Sequence, residues 1–190
     1  MAVIVVPYRD SGKRRLRVPG NPRELSRAML EDVLSACAEV GRTLLVTSAL
    51  VPGLDVELVP DPGGGQGAAV EAALAALDEG PALVVNSDLP CARPGDLLDL
   101  LAAVPAGGLA LVPAADGTTN ALALSSPSLF RPLYGPGSAA RFLELAPSRS
   151  VAISNLADDV DTLADLERLR SRAGPRTQLA LASLQVELAR

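Results

Sequence analysis

Asp158, Asp159, Asp161 and Asp165 crowd the segment "LADDVDTLADL" (156–166). An acidic run before an apolar pattern is commonly the solvated start of a helix, yet in an extended D-x-D the side chains of Asp159 and Asp161 point to the same side. Asp88 forms a second acidic turn in "NSDLP" (86–90), just beyond a continuously apolar strand pattern. Singly, each reads equally well as a cap or a turn. Together they suggest a hard-cation site, because Mg2+ uses one or two carboxylates plus waters and phosphate oxygens. The candidate metal ligands are therefore Asp88, Asp159 and Asp161. Asp158 is expected to be a solvated turn residue, and Asp165 to lie in the first turn of the next helix, where the macrodipole favours negative charge.

Four other stretches could bind anions. "YRDSGKRRL" (8–16) follows a strand end and carries Lys13 and Arg15. Such a run can be a plain solvated loop, or can clasp a polyphosphate with a lysine point charge and an arginine fork. "DPGGGQG" (61–67) opens a helix with backbone amides that can face a ligand, although its spacing matches no established phosphate-loop motif. "DGTTNAL" (116–122) and "YGPGSAARF" (134–142) read either as tight turns or as a nest for a phosphate or carboxylate, with Gly137 and Ser138 at a helix start.

Composition narrows the chemistry. The chain has no histidine, so Ser-His and Cys-His pairs and histidine-ligated zinc are excluded. Carboxylates, cations, hydroxyls and backbone amides must do the work. A net charge of -5, two Phe, two Tyr and no Trp argue against a nucleic-acid partner. Cys37 and Cys91 form no C-x-x-C and read as packed thiols of a reduced compartment. No apolar run reaches the roughly 18 residues of a membrane span, and "MAVIVVPYRD" lacks the features of a signal peptide, so a soluble, cytoplasmic protein is expected.

Taken in order, "GKRRL", "LSRAMLEDVLSA", "DPGGG", "SDLP", "GTTNAL", "GPGS" and "DVDTLADL" resemble the 2-phospho-L-lactate / phosphoenolpyruvate guanylyltransferase family of deazaflavin coenzyme F-420 biosynthesis. The resemblance runs from the first strand to about residue 170 and implies a MobA-like nucleotidyltransferase fold. It further implies GTP and a small three-carbon phospho-acid as substrates and Mg2+ as cofactor. Lys13 and Arg15 would be catalytic, and Pro7, Lys13, Arg15, Gly64, Gly65 and Asp88 would meet the nucleotide. Thr118, Thr119, Gly137 and Ser138 would hold the acid, and Asp88, Asp159 and Asp161 the metal. Two positions depart from the family pattern: Gly67 replaces the asparagine of a usual G-L-N, and Phe142 stands where a histidine often follows "GPGS".

The elements that must position these residues alternate between strand and helix. Strands are predicted over 2–8, 42–48, 56–61, 81–90, 109–114, 120–126 and 150–154, and helices over 21–40, 65–80, 93–104, 137–146 and 162–172. The alternation predicts an α/β three-layer sandwich with a mostly parallel, mixed sheet. Ligands then gather beyond the carboxyl ends of the strands. Residues 1–173 are expected to form the nucleotidyltransferase domain and 174–190 a C-terminal helical extension, with "AGPRT" (173–177) as hinge and a homodimer open to the tail.

Overall fold

The structure, a computed structural model, describes residues 2–9 and 22–188. The described residues build one seven-stranded sheet in the order β3-β2-β1-β4-β6-β5-β7. β1 (Val3–Pro7), β2 (Arg42–Thr47), β3 (Glu57–Pro60) and β4 (Ala82–Val85) are mutually parallel. β5 (Leu109–Pro113) and β6 (Thr119–Leu124) form an antiparallel pair, β6 also running antiparallel to β4, and β7 (Ser148–Ser150) runs parallel to β5. The inner strands are apolar without interruption because both faces are covered.

Alternate side chains of each strand feed different layers. Ile4 and Val6 face α1 (Pro22–Ala38), α3 (Pro94–Ala102) and α5 (Ser154–Ala157), packing with Leu30, Val33, Leu97, Leu100 and Leu156. Val5 faces the opposite layer, α2 (Gln66–Leu74) and α4 (Ser138–Leu143), with Val70, Leu74 and Phe142. The three-layer sandwich with a mixed, mostly parallel sheet is thus the fold, as the alternation predicts. A third apolar cluster joins α1 to α6 (Leu163–Leu169) and α7 (Pro175–Leu188) through Leu25, Met29, Leu166, Leu169 and Leu181, and it includes Val160. Cys37 and Cys91 are buried free thiols, and burial pushes the Cys37 thiol up to about 12.

Two expectations fail here. The seventh strand lies at Ser148–Ser150 rather than 150–154, and residues 154–157 are helical. The ladder with β5 ends after the Val151 amide reaches the Leu111 carbonyl, because the next rung needs the amide of residue 113, which is proline. The stretch read as a hinge is pinned at several points. The Gly174 amide donates to the Pro90 carbonyl (2.7 Å), and the amides of Arg176 and Thr177 donate to the two carboxylate oxygens of buried Asp32 (3.1 and 2.8 Å).

Candidate functional site

Because β6 is antiparallel to β4, its first residues, Thr119 and Asn120, lie at the end where β1, β2, β3 and β4 finish. That end carries Pro7 to Arg9, Asp61 to Gln66, Asn86 to Asp88, and the acidic segment after α5. The chain runs from β1 outward to β2 and β3, and then returns to place β4 on the other side of β1. This is the switch point where open α/β sheets bind ligands. A cleft of about 170 Å³ opens there, lined by Pro7, Tyr8, Gln66, Asn86 and Asp88 among others.

Asp88, Asp159 and Asp161 come together, and Asp159 and Asp161 share a side as the D-x-D spacing predicts. One carboxylate oxygen from each lies within 4.8 Å of the others, and all three residues are half-buried. The backbone explains the convergence. The Val160 amide donates to the Asp88 carbonyl (3.1 Å), stitching the turn after β4 to the acidic segment. Val160 itself is completely buried in the third apolar cluster, so its two neighbours are turned the other way. The Asn120 side chain, buried at the start of β6, donates to the Ala157 carbonyl (3.1 Å) and reaches Asp159 Oδ1 at 3.5 Å. Three clustered oxygen donors with no sulfur or imidazole suit a hard divalent cation.

The flanking aspartates hold the segment from outside. Asp158 was expected to be a solvated turn residue and is not. It accepts from Arg168 Nη1 (2.8 Å) and Arg172 Nη2 (2.9 Å), one arginine on α6 and the other just past its end. Burial raises its carboxyl, and the two guanidinium hydrogen bonds outweigh that and hold it below the usual carboxylate range. Asp165 forms a capping box with Thr162: the Thr162 hydroxyl accepts the Asp165 amide (3.2 Å), and Asp165 accepts the Thr162 amide (2.9 Å). Its place in the first turn of a helix is as expected.

The glycine loop is tied to the end of β1. Arg9 donates to Asp61 through Nε (2.9 Å) and Nη2 (3.4 Å), and Asp61 also accepts the Gly63 amide (2.8 Å). Gly63, Gly64 and Gly65 follow with φ of 84°, 83° and 104°, a succession that only glycine adopts without strain. Arg9 holds the Asp61 carboxyl below its ordinary range, and the side chain is only 5% exposed. A carboxylate depressed in the folded state stabilises above its unfolded pKa, and that stability is lost as pH falls through the folded value. Replacing Arg9 with Met should therefore flatten the rise in melting temperature expected of the native protein as pH climbs to about 4, with little difference in slope above about pH 5. Thermal scans across that range check the expectation, and parallel native and variant curves would contradict it.

The two hydroxyl loops also meet. Thr119 Oγ1 and Ser138 Oγ are 3.0 Å apart and both residues are buried, while the Ala139 amide donates to the Gly117 carbonyl. Gly137 precedes α4 in the left-handed region (φ 70°). The Thr118 amide and hydroxyl both donate to Asp116 Oδ1 (2.9 and 2.6 Å). Lys13 and Arg15 lie outside the described residues.

Both departures from the family pattern have a structural setting. Phe142 is fully buried, 5.3 Å from the Tyr134 ring and 6.1 Å from Phe130, so this position serves the core beneath α4. At Gly67, an added Cβ would come within 2.8 Å of Pro132 Cβ and 3.1 Å of its Cα and carbonyl oxygen. Sequence reading missed Gln66, Asn86 and Asn120. The one signal was chemical: Asn86 and Asn120 are amides at the edges of otherwise apolar strand patterns.

Comparison with known proteins places the chain. A family model described as "Guanylyl transferase CofC like" matches residues 2–170. The chain is 33% identical over 205 residues to the phosphoenolpyruvate guanylyltransferase of Nocardia farcinica, covering 96% of this chain and 91% of that one. It is 37% identical over 193 residues to the 2-phospho-L-lactate guanylyltransferase of Natrialba magadii, covering 86% and 80%. Among solved structures, a candidate nucleotide-diphospho-sugar transferase of Desulfovibrio desulfuricans G20 superposes with a TM-score of 0.72 at 17% identity, over 96% of each chain.

Proposed function

Since the chain belongs to the CofC-like guanylyl transferase family, we propose that it transfers GMP from GTP to phosphoenolpyruvate or 2-phospho-L-lactate and releases diphosphate, in coenzyme F-420 biosynthesis, with Mg2+ as cofactor. The observation that carries this reading is the meeting of Asp88, Asp159 and Asp161 beside a cleft at the switch point of the sheet.

A phosphate oxygen of the acid attacks the α-phosphorus of GTP; a new P–O bond forms, the bond to the bridging oxygen breaks, and diphosphate leaves. The attacking oxygen is already ionised, so no general base is required, which agrees with a chain without histidine. Catalysis then rests on alignment and charge neutralisation. Asp88, Asp159 and Asp161 would hold the divalent cation, which when bound supplies positive charge against the phosphate oxygens. Lys13 and Arg15, in the segment after β1, would neutralise the polyphosphate. Gly64 and Gly65 offer backbone amides and Pro7 a wall to the nucleotide, whereas Thr118, Thr119, Gly137 and Ser138 would receive the acid.

The test is incubation of the protein with GTP, Mg2+ and either phosphoenolpyruvate or 2-phospho-L-lactate, following diphosphate. Release that depends on both the acid and the cation is expected. Absence of release with either acid would overturn the enzymatic reading in favour of a non-catalytic nucleotide binder.

A further inference from the structure

We propose that Gln66 reads the hydrogen-bonding edge of the nucleobase, and that Asn86 locks the polarity of its amide so that guanine is accepted and adenine refused. The inference rests on the reading above in one respect: it takes the cleft at the switch point as the nucleotide's.

The geometry is a relay anchored on the backbone. The Thr119 carbonyl can only accept, and Asn86 Nδ2 donates to it (3.2 Å). Asn86 must then turn Oδ1 toward Gln66, whose Nε2 donates to it at 2.6 Å. Gln66 therefore keeps Nε2 on the Asn86 side, with one N–H to spare, and carries Oε1 on the other side. An amide that can rotate offers donor and acceptor in either order and pairs with guanine or adenine alike. An amide fixed by a carbonyl two links away offers one order only.

That order selects. Guanine presents the acceptor O6 beside the donor N1–H, and a Gln66 amide of locked polarity meets these with its spare Nε2–H and Oε1. Adenine in the same place presents its amino donor to the Nε2–H and its ring nitrogen acceptor to Oε1, so both contacts become repulsive. The cleft, at about 170 Å³, lies below the roughly 300–1,000 Å³ of a complete small-molecule site, which fits a base-sized fragment with the phosphates leading outward past Asp88. Residue 67 cannot share the task, since Pro132 occupies the space its side chain would need. Gln66 lines the cleft directly.

The experiment is direct binding of GTP and of ATP, without acceptor acid, by calorimetry for the native protein, Gln66→Leu and Asn86→Ala, with melting curves to verify folding. The native protein should prefer GTP. Gln66→Leu should weaken GTP roughly 10- to 100-fold, the scale of a paired amide contact to a base, and should not weaken ATP, whose repulsion by the amide is removed with it. Asn86→Ala, which frees the amide to rotate, should narrow the preference chiefly by improving ATP. A native protein that binds both nucleotides equally, or neither, overturns the proposal, as does a Gln66→Leu variant that keeps the native preference. A preference that follows Gln66 in a protein that turns over neither acid would uphold the proposal while overturning the enzymatic reading.

Discussion

Asp161→Asn is expected to abolish turnover while leaving the fold in place. Asparagine keeps the shape of the side chain and removes one of three negative charges whose oxygens lie within 4.8 Å of one another. A cation in such a site contributes several kcal/mol of transition-state charge stabilisation, so the rate should fall by roughly 1000-fold or more. The segment keeps several supports that belong to other groups. The Val160 amide still reaches the Asp88 carbonyl, Asp158 still engages Arg168 and Arg172, and the Thr162–Asp165 box still starts α6. Melting temperature should therefore stay within a few degrees of native. Added Mg2+ supplies the second readout, since an ion that binds only the folded state raises its melting temperature. Native protein should show that rise and Asp161→Asn should lose most of it. A variant that keeps more than half the native rate would show that this aspartate holds no metal.

Asp32→Ala should be strongly destabilising although Asp32 lies far from the cleft. Asp32 is a buried carboxylate on α1 whose two oxygens accept the amides of Arg176 and Thr177 at the start of α7. It acts as a helix cap supplied by another helix, and its charge lies where the macrodipole of α7 favours an anion. The chain makes close room for it: a Cβ on Gly174 would fall 2.2 Å from Asp32 Cγ. Removal leaves two amides without their acceptor and a void against Gly174, at a cost of about 2–3 kcal/mol. For a chain of this size that is a fall in melting temperature of roughly 5–10 °C. Asp32→Asn, which keeps an acceptor oxygen but loses the charge, should fall between. Gly174→Ala should destabilise by a similar amount, because the added methyl must displace the carboxylate. Unchanged melting in Asp32→Ala would mean that α7 is held by its apolar face alone.

This clamp bears on the site through packing. Leu181 of α7, Leu25 and Met29 of α1, and Leu166 of α6 share one cluster with Val160, the residue between Asp159 and Asp161. Loosening α7 thus slackens the wall that orients two carboxylates. Leu181 is the buried residue through which α7 joins the apolar cluster behind the acidic segment.

How much of this could be read from the chain depends on distance along it. The buried strands were legible because a sheet covered on both faces needs uninterrupted apolar residues, and α1 because its apolar face repeats at helical spacing below Pro22. The D-x-D pair was legible because strand alternation is local, so Asp159 and Asp161 share a side wherever the segment lies. The last strand was misplaced because its end is set by Pro113 on another strand. The role of Asp158 was missed because its partners stand ten and fourteen residues away, where no periodicity connects them.

By itself, then, the sequence determined which residue types are present to do chemistry, which side of each element they occupy, and, through ordered motifs, the family. What only the tertiary structure decided is which of those residues meet. Val160 turns Asp159 and Asp161 toward Asp88, Pro132 closes position 67, and the Thr119 carbonyl sets the polarity of Asn86 and Gln66 across twenty and thirty-three residues. The reason is physical. Side-chain direction follows from local backbone sterics, which neighbours in sequence encode, whereas a hydrogen-bond partner or a steric limit depends on packing that brings distant segments together, and no single stretch of chain records it.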